Sequence, residues 1–104
     1  MNIYLDRYYK LINHYKQLTL EGYVEKHHII PRTLGGKNDK ANIVVLTARE
    51  HFVCHLLLTK MLTDGNRHKM VYALHMLSNI KNIGSGRYTP TSRSYDYSKK
   101  LFIE

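Results

Sequence analysis

Apolar residues in the first twenty positions recur at intervals of three and four, the spacing of one face of an α-helix. The members of this series are Tyr4, Tyr8, Leu11, Ile12, Tyr15 and Leu18. The pattern predicts an amphipathic helix over residues 3 to 19, ended near Gly22. The remaining positions of this segment include several basic residues, which would occupy the solvent-facing side of the helix.

Two short segments then favour β-strands. Residues 23 to 30 (YVEKHHII) are rich in β-branched side chains and end at Pro31, which has no amide hydrogen to extend a ladder. Residues 34 to 39 contain the glycines and turn formers of a loop, and residues 43 to 46 (IVVL) form the second predicted strand. The connection is long for a hairpin, which indicates that it has a role of its own.

A capped helix is predicted directly after the second strand. The sequence TARE at residues 47 to 50 matches a capping box, in which Thr47 and Glu50 bond to amides of the first turn. We therefore expect a helix over about residues 48 to 62, followed by a break over residues 63 to 66 (TDGN).

The C-terminal part of the chain is predicted to hold a third helix and a basic tail. Apolar spacing places the helix over about residues 67 to 80, and the tail begins as a loop and ends in a short helix from about Ser92. A chain of this length has material for one core. The expected single domain, 1 to 104, comprises an N-terminal helix (3 to 19), a central unit (23 to 62) and a C-terminal helix with tail (66 to 104).

Charge and composition exclude several classes of protein and favour one kind of partner. Sixteen Lys and Arg against eight Asp and Glu give a net charge of +8, which favours a polyanionic partner, most often nucleic acid. The 43% of apolar residues exclude a disordered basic tail. The longest apolar run, residues 70 to 74, is too short for a bilayer, and the polar start does not resemble a signal peptide, so we expect a cytoplasmic protein without membrane contact. Cys54 alone can form neither an internal disulfide nor a CxxC zinc site, and a buried apolar role is expected for it.

Four histidines carry the candidate chemistry. His51 and His55 are four residues apart, so both project from one helical face with Cβ atoms about 5–6 Å apart, close enough to share a metal ion. His27 and His28 are neighbours in a strand and point to opposite faces. One of them can therefore face the helix and ligate, while the other faces the open side where a substrate would lie. Two strands and a helix closing around one ion would form a small ββα unit.

The segment over residues 25 to 55, EKHHIIPRTLGGKNDKANIVVLTAREHFVCH, resembles the HNH endonuclease motif. It has a paired HH followed by Pro, a Gly-Gly loop, Asn42, and His51 nine positions after that asparagine. The further His55 is similar to the colicin-type DNases of the same superfamily, and HHIIPRTLGG and LTAREHF resemble HNH proteins of bacteriophages and mobile introns. The resemblance implies an α+β fold, a ββα-metal (His-Me finger) core with flanking α-helices.

The resemblance also implies a function, a phage- or mobile-element-encoded, metal-dependent endonuclease that hydrolyses DNA phosphodiester bonds to 5′-phosphate and 3′-hydroxyl ends. The resemblance implies that the metal ligands are His27, His51 and His55 and that His28 is the general base. Asn42 would either orient the base or, as in some family members, ligate the metal. An imidazole with an ordinary pKa near 6.5 can take a proton from water at neutral pH.

The donor set bears on which metal is bound. We expect one divalent ion, with zinc, nickel or manganese favoured and magnesium as the alternative. Three neutral imidazoles favour zinc, nickel or another transition metal over magnesium, which prefers oxygen ligands. Magnesium or manganese becomes plausible if Asn42 coordinates in place of the helical histidine pair. Many relatives have Asp where this chain has His27, and that difference favours the softer ions.

DNA is the expected partner of this chain. DNA phosphates would be held by basic residues near the motif and in the tail, Arg32, Lys37, Lys40, Arg49, Arg87 and Arg93. Phage relatives usually carry a further DNA-recognition region, so a homodimer or a phage protein partner could supply specificity.

The alternatives to a nuclease are a non-catalytic, metal-stabilised nucleic-acid-binding module and an accessory phage protein that acts within a complex. His28 argues against the module, since a structural metal site has no use for an imidazole beside its ligand. Glu25 is expected to bond to nearby backbone or an arginine.

Overall fold

Five regular elements follow one another in residues 2–79, the part of the chain that the computed structural model describes. They are α1 (Ile3–Lys16), β1 (Glu25–His28), β2 (Ile43–Leu46), α2 (Ala48–Met61) and α3 (Asp64–Asn79). Two single-turn 3₁₀ helices, Arg32–Leu34 and Lys40–Asn42, lie in the connection between the strands. The described residues thus form an α+β fold that is compatible with a small ββα unit. The predicted short helix from Ser92 lies outside the described residues.

Helix α1 begins at an asparagine cap that also ties it to α2. The Asn2 Oδ1 accepts hydrogen bonds from the Tyr4 and Leu5 amides, and its Nδ2 donates to the Met61 carbonyl at 3.2 Å. The helix ends at Lys16, before the predicted residue 19. It ends early because the next amides donate back three residues, which tightens the last turn, and Leu18 is consequently 44% exposed.

The two strands pair antiparallel, with His27 opposite Val44 and His28 opposite Ile43. Strand β1 is shorter than the predicted 23 to 30. Beyond it the Ile29 amide still donates to the Asn42 carbonyl, but the next backbone groups are satisfied by side chains in place of a strand partner. Alternation along β1 buries Glu25 and His27 and leaves Lys26 exposed.

Helix α2 starts as predicted, because the Thr47 hydroxyl accepts the Glu50 amide at 3.1 Å. The predicted reciprocal bond of the capping box is replaced by another contact, since the Glu50 carboxylate lies 3.8 Å from the Arg49 guanidinium. The predicted break between the helices is present, but it is shorter than the expected 63 to 66 and lies at residues 62 and 63. Helix α3 already begins at Asp64, and the Thr63 carbonyl accepts the Arg67 amide, so only two residues separate the two helices.

Two adjoining apolar clusters hold these elements together. The larger contains α1, β2 and α2 side chains, and the smaller lies between α2 and α3. The larger comprises Tyr8, Ile12, Ile29, Val44, Leu46, Cys54, Leu58 and Met70, and the smaller comprises Phe52, Val71 and Leu74. The buried apolar role expected for Cys54 is confirmed. In residues 2–79 no helix is both long and apolar enough to cross a bilayer.

Candidate metal centre

Three histidines from two elements meet at one point, and we call them the histidine cluster. His27 comes from β1, and His51 and His55 stand one turn apart on α2. Their ring centroids are 4.8 to 5.2 Å apart, and one ring nitrogen from each lies within 4.8 Å of the others. The three side chains could therefore bind a metal ion.

The Tyr8 hydroxyl fixes the tautomer of His27. It donates to the Ile29 carbonyl at 2.7 Å and lies 2.6 Å from Nε2 of His27. Because the hydroxyl hydrogen is already used, the imidazole must be the donor, and Nε2 carries its hydrogen. Nδ1 keeps its lone pair and is buried without a hydrogen-bond partner among residues 2–79. A buried nitrogen of this kind is the group that a bound cation would satisfy.

Burial keeps the His27 ring neutral. Desolvation, reinforced by the neighbouring His55, His51 and His28, lowers the pKa of His27 to about 2. A histidine ligates a metal in its neutral form, so this ring needs to release no proton when an ion enters.

A carboxylate orients the second histidine of the cluster. Glu25 Oε1 lies 2.6 Å from His51 Nδ1, and the other carboxylate oxygen accepts the Tyr23 hydroxyl. The Glu25 and His51 side chains are only 8% and 14% exposed, so solvent screens the pair weakly. This contact leaves Nε2 as the ring nitrogen of His51 that could bind a metal ion, and carboxylate–histidine–metal sites have the same arrangement.

The two helical histidines are also spaced as ligands of one ion. Nε2 of His51 lies 3.2 Å from Nε2 of His55. Two nitrogens bound at about 2.0 Å to a tetrahedral zinc ion would be about 3.3 Å apart. The separation of the two nitrogens is therefore compatible with binding to one ion.

His28 lies beside the histidine cluster on a shared cavity. It is half-buried, and the cavity of about 310 Å³ is lined by it and by all three cluster histidines. Helix α3 forms another wall through Met70 and Ala73, and the Lys69 ammonium donates to the Thr33 carbonyl of the loop at 3.3 Å. The three histidines that could bind a metal ion and the expected general base thus line one cavity.

Asn42 has a different set of contacts from those expected. Its Oδ1 accepts the Ile30 amide at 2.8 Å, and its Nδ2 donates to the Ile30 and Lys37 carbonyls, both at 2.9 Å. These bonds hold the loop between the strands closed. The contact to His28 comes from another residue, Asn38, whose Oδ1 lies 3.0 Å from His28 Nε2.

The basic residues expected to hold phosphates divide into two groups. Arg32 lines the cavity, together with Lys26, which the sequence did not single out. Lys37, Lys40 and Arg49 are exposed but do not line it. The remaining predicted contacts, Arg87 and Arg93, lie outside the described residues.

Sequence reasoning missed the groups that orient the histidines. Glu25 was expected to bond to backbone or an arginine, yet it bonds to His51. Strand alternation offered a signal here, because Glu25 lies two residues before His27 and so faces the same side. Tyr8 and Asn38 carried no comparable signal, since one comes from a distant helix and the other from an irregular loop.

The chain is similar to several proteins of Enterobacteria phage T4 that are named probable mobile endonucleases. It is 43% identical over 82 residues to the probable mobile endonuclease E, a match that covers 79% of this chain and 56% of the relative. It is 43% identical over 84 residues to the probable mobile endonuclease D, covering 80% of this chain and 32% of the relative. A shorter match of 39 residues to the probable mobile endonuclease B reaches 62% identity and covers 38% of this chain and 15% of the relative.

The relatives are longer than this chain. The chain spans about half of the length of the first of these relatives and a third or less of the others. No protein-family model matches the chain. No solved structure matches it either.

Proposed function

We propose that this chain is a metal-dependent HNH endonuclease that hydrolyses DNA phosphodiester bonds, with His28 as the general base. The observation that carries the proposal is the histidine cluster opening onto the same cavity as His28. Similarity to proteins named probable mobile endonucleases supports a phage or mobile-element origin and this class of reaction.

The charge of the chain supports a nucleic-acid substrate. The net charge is +8, and two basic side chains, Lys26 and Arg32, line the cavity. Cations at this position would hold the phosphates on either side of the scissile bond, while contacts from Lys37, Lys40 and Arg49 would extend along the backbone.

His28 would activate the attacking water. Its imidazole accepts a proton from water while the water oxygen forms a bond to phosphorus and the bond from phosphorus to the 3′ oxygen breaks. The 3′ oxygen leaves and takes up a proton, which gives a 3′-hydroxyl and a 5′-phosphate. A divalent cation, when bound, supplies positive charge that offsets the charge developing on the phosphate and on the departing oxygen.

His27, His51 and His55 would hold that cation. The unsatisfied Nδ1 of His27 and the carboxylate behind His51 support this set, and three imidazoles favour zinc or nickel over magnesium. Asn42 is better assigned to the loop, because both ends of its amide already bond to backbone groups. Magnesium, which depended on coordination by Asn42, is therefore the less favoured ion.

Nicking of supercoiled plasmid tests the proposal. Protein stripped of metal and then supplied with zinc, nickel, manganese or magnesium should convert supercoiled plasmid to open circles with at least one of these ions. His28→Ala should abolish nicking while the variant still binds metal and DNA, because His28 is neither one of the proposed metal ligands nor one of the proposed phosphate-binding residues. His14→Ala, which removes an exposed imidazole on α1, is the matched control and should keep full activity.

The same variants separate an enzyme from a binding module. Equal nicking by the wild type and His28→Ala would remove the general-base assignment. DNA binding without nicking under every ion would favour the non-catalytic module. Binding by phosphate neutralisation should also weaken steeply as salt is added, and a salt-insensitive complex would point to a partner other than DNA.

A further inference from the structure

The loop between the strands places an asparagine against the proposed general base. Asn38 Oδ1 lies 3.0 Å from His28 Nε2. An amide oxygen accepts hydrogen bonds and cannot donate, so Nε2 of His28 carries the hydrogen. Nδ1 is then the ring nitrogen with a lone pair, and it is the atom able to take a proton from water.

The loop holds Asn38 in place from both sides. On one side Asn42 Nδ2 donates to the Lys37 carbonyl at 2.9 Å. On the other side the Asp39 carboxylate accepts the Asn42 amide at 3.1 Å. Asn38 lies between these two anchored residues, so its exposed side chain is carried on a restrained backbone.

A close approach of two backbone segments tightens the same loop. A Cβ built on Gly36 would meet the Ile30 carbonyl oxygen at 1.7 Å, so only glycine fits there. The Gly36 amide donates to the Pro31 carbonyl at 3.0 Å. The loop is therefore folded back on the end of β1, the strand that carries His28.

We propose that Asn38 is the positioning residue for His28, and that Asn42 acts on His28 only through the loop that carries Asn38. The inference rests on the proposed function, because it assigns Asn38 a part in the same reaction. Asn38 selects the Nε2–H tautomer and fixes the plane of the ring. Without this hydrogen bond, the half-buried imidazole would populate both tautomers and several ring orientations. Only one combination of tautomer and orientation presents the Nδ1 lone pair to the water.

Two substitutions of Asn38 and one control test this role. Asn38→Ala removes the acceptor, whereas Asn38→Asp keeps an acceptor oxygen at the same distance along the side chain. Asn13→Ala, at an exposed asparagine on α1, is the matched control. Each variant is assayed for kcat and KM in plasmid nicking. Histidine ¹⁵N chemical shifts, with the His28 signal assigned from its loss in His28→Ala, report the tautomer independently of activity.

The expected result is a change in kcat with little change in KM. Misplacing a reacting group by about 1 Å can cost on the order of 10²-fold in rate, so Asn38→Ala should lower kcat by about 10- to 100-fold. The His28 ¹⁵N signals should move from the Nε2–H tautomer toward a mixture. Asn38→Asp should keep the tautomer and most of kcat, and Asn13→Ala should behave as the wild type.

Other outcomes overturn the inference and separate it from the proposed function. If the wild type nicks DNA and Asn38→Ala retains its kcat, Asn38 has no positioning role although the nuclease assignment stands. If Asn38→Asp loses as much kcat as Asn38→Ala, the acceptor oxygen is not what matters. If the wild type nicks DNA with none of the four ions, the proposed function fails and the positioning role of Asn38 in that reaction fails with it.

Discussion

Substituting Tyr8 with phenylalanine should destabilise the protein strongly, because one hydroxyl satisfies two buried groups. The Tyr8 oxygen donates to the Ile29 carbonyl at 2.7 Å and accepts from His27 at 2.6 Å. Tyr8 is 0% exposed, and its two partners are 7% and 2% exposed, so water cannot replace the lost bonds. Phenylalanine fills nearly the same volume, so the change isolates the hydroxyl from the ring.

The size of the effect follows from the groups left behind. A buried donor or acceptor without a partner costs about 1–3 kcal/mol, so the two together should cost about 2–6 kcal/mol in free energy of unfolding. For a domain of this size each kcal/mol corresponds to about 4–8 °C in melting temperature. The expected loss is therefore at least about 8 °C.

Thermal unfolding in a chelating buffer measures this effect, since a bound ion would stabilise the folded state and mask it. Tyr9→Phe is the matched control, because the neighbouring Tyr9 is 40% exposed and its hydroxyl should contribute little. A Tyr8→Phe protein that melts within about 3 °C of Tyr9→Phe would refute the assignment of two satisfied buried partners.

Three further predictions follow from the same geometry. Glu25→Gln should weaken metal affinity by about 10- to 100-fold in a competition titration with a chelator, because the carboxylate orients His51. Glu21→Gln is the exposed control, and equal affinities of the two variants would contradict the role of the Glu25 carboxylate. Gly36→Ala should destabilise by about 1–3 kcal/mol in urea unfolding, whereas Gly65→Ala, where a Cβ meets nothing within 4 Å, should stabilise slightly. In the metal-free protein, His27 should lower the free energy of unfolding by about 1.6 kcal/mol between pH 6.5 and pH 5, because its depressed folded pKa lets only the unfolded chain bind that proton. His27→Gln should flatten this slope in urea unfolding, and an equal slope in both proteins would exclude this cause.

Local patterns predicted the elements well and their ends less well. The three helices and two strands all occur where apolar spacing and punctuation indicated, and the Thr47 cap lies at the predicted start of α2. The errors fall at boundaries, where non-local bonds decide. Strand β1 stops at His28 because Tyr8 and Asn42 take over the backbone groups that follow it, and both come from other parts of the chain.

The sequence by itself determined which side chains could meet. A helical spacing of four puts His51 and His55 on one face, and strand alternation sends His27 and His28 to opposite sides, so these relations are fixed by local geometry. Only the tertiary structure decided which groups would orient them. Tyr8 and Asn38 reach the histidines through packing and loop closure, and hydrogen bonds between distant segments have no periodicity for a sequence pattern to reveal. Strand alternation places Glu25 on the same face as His27, but its contact with His51 depends on how β1 packs against α2.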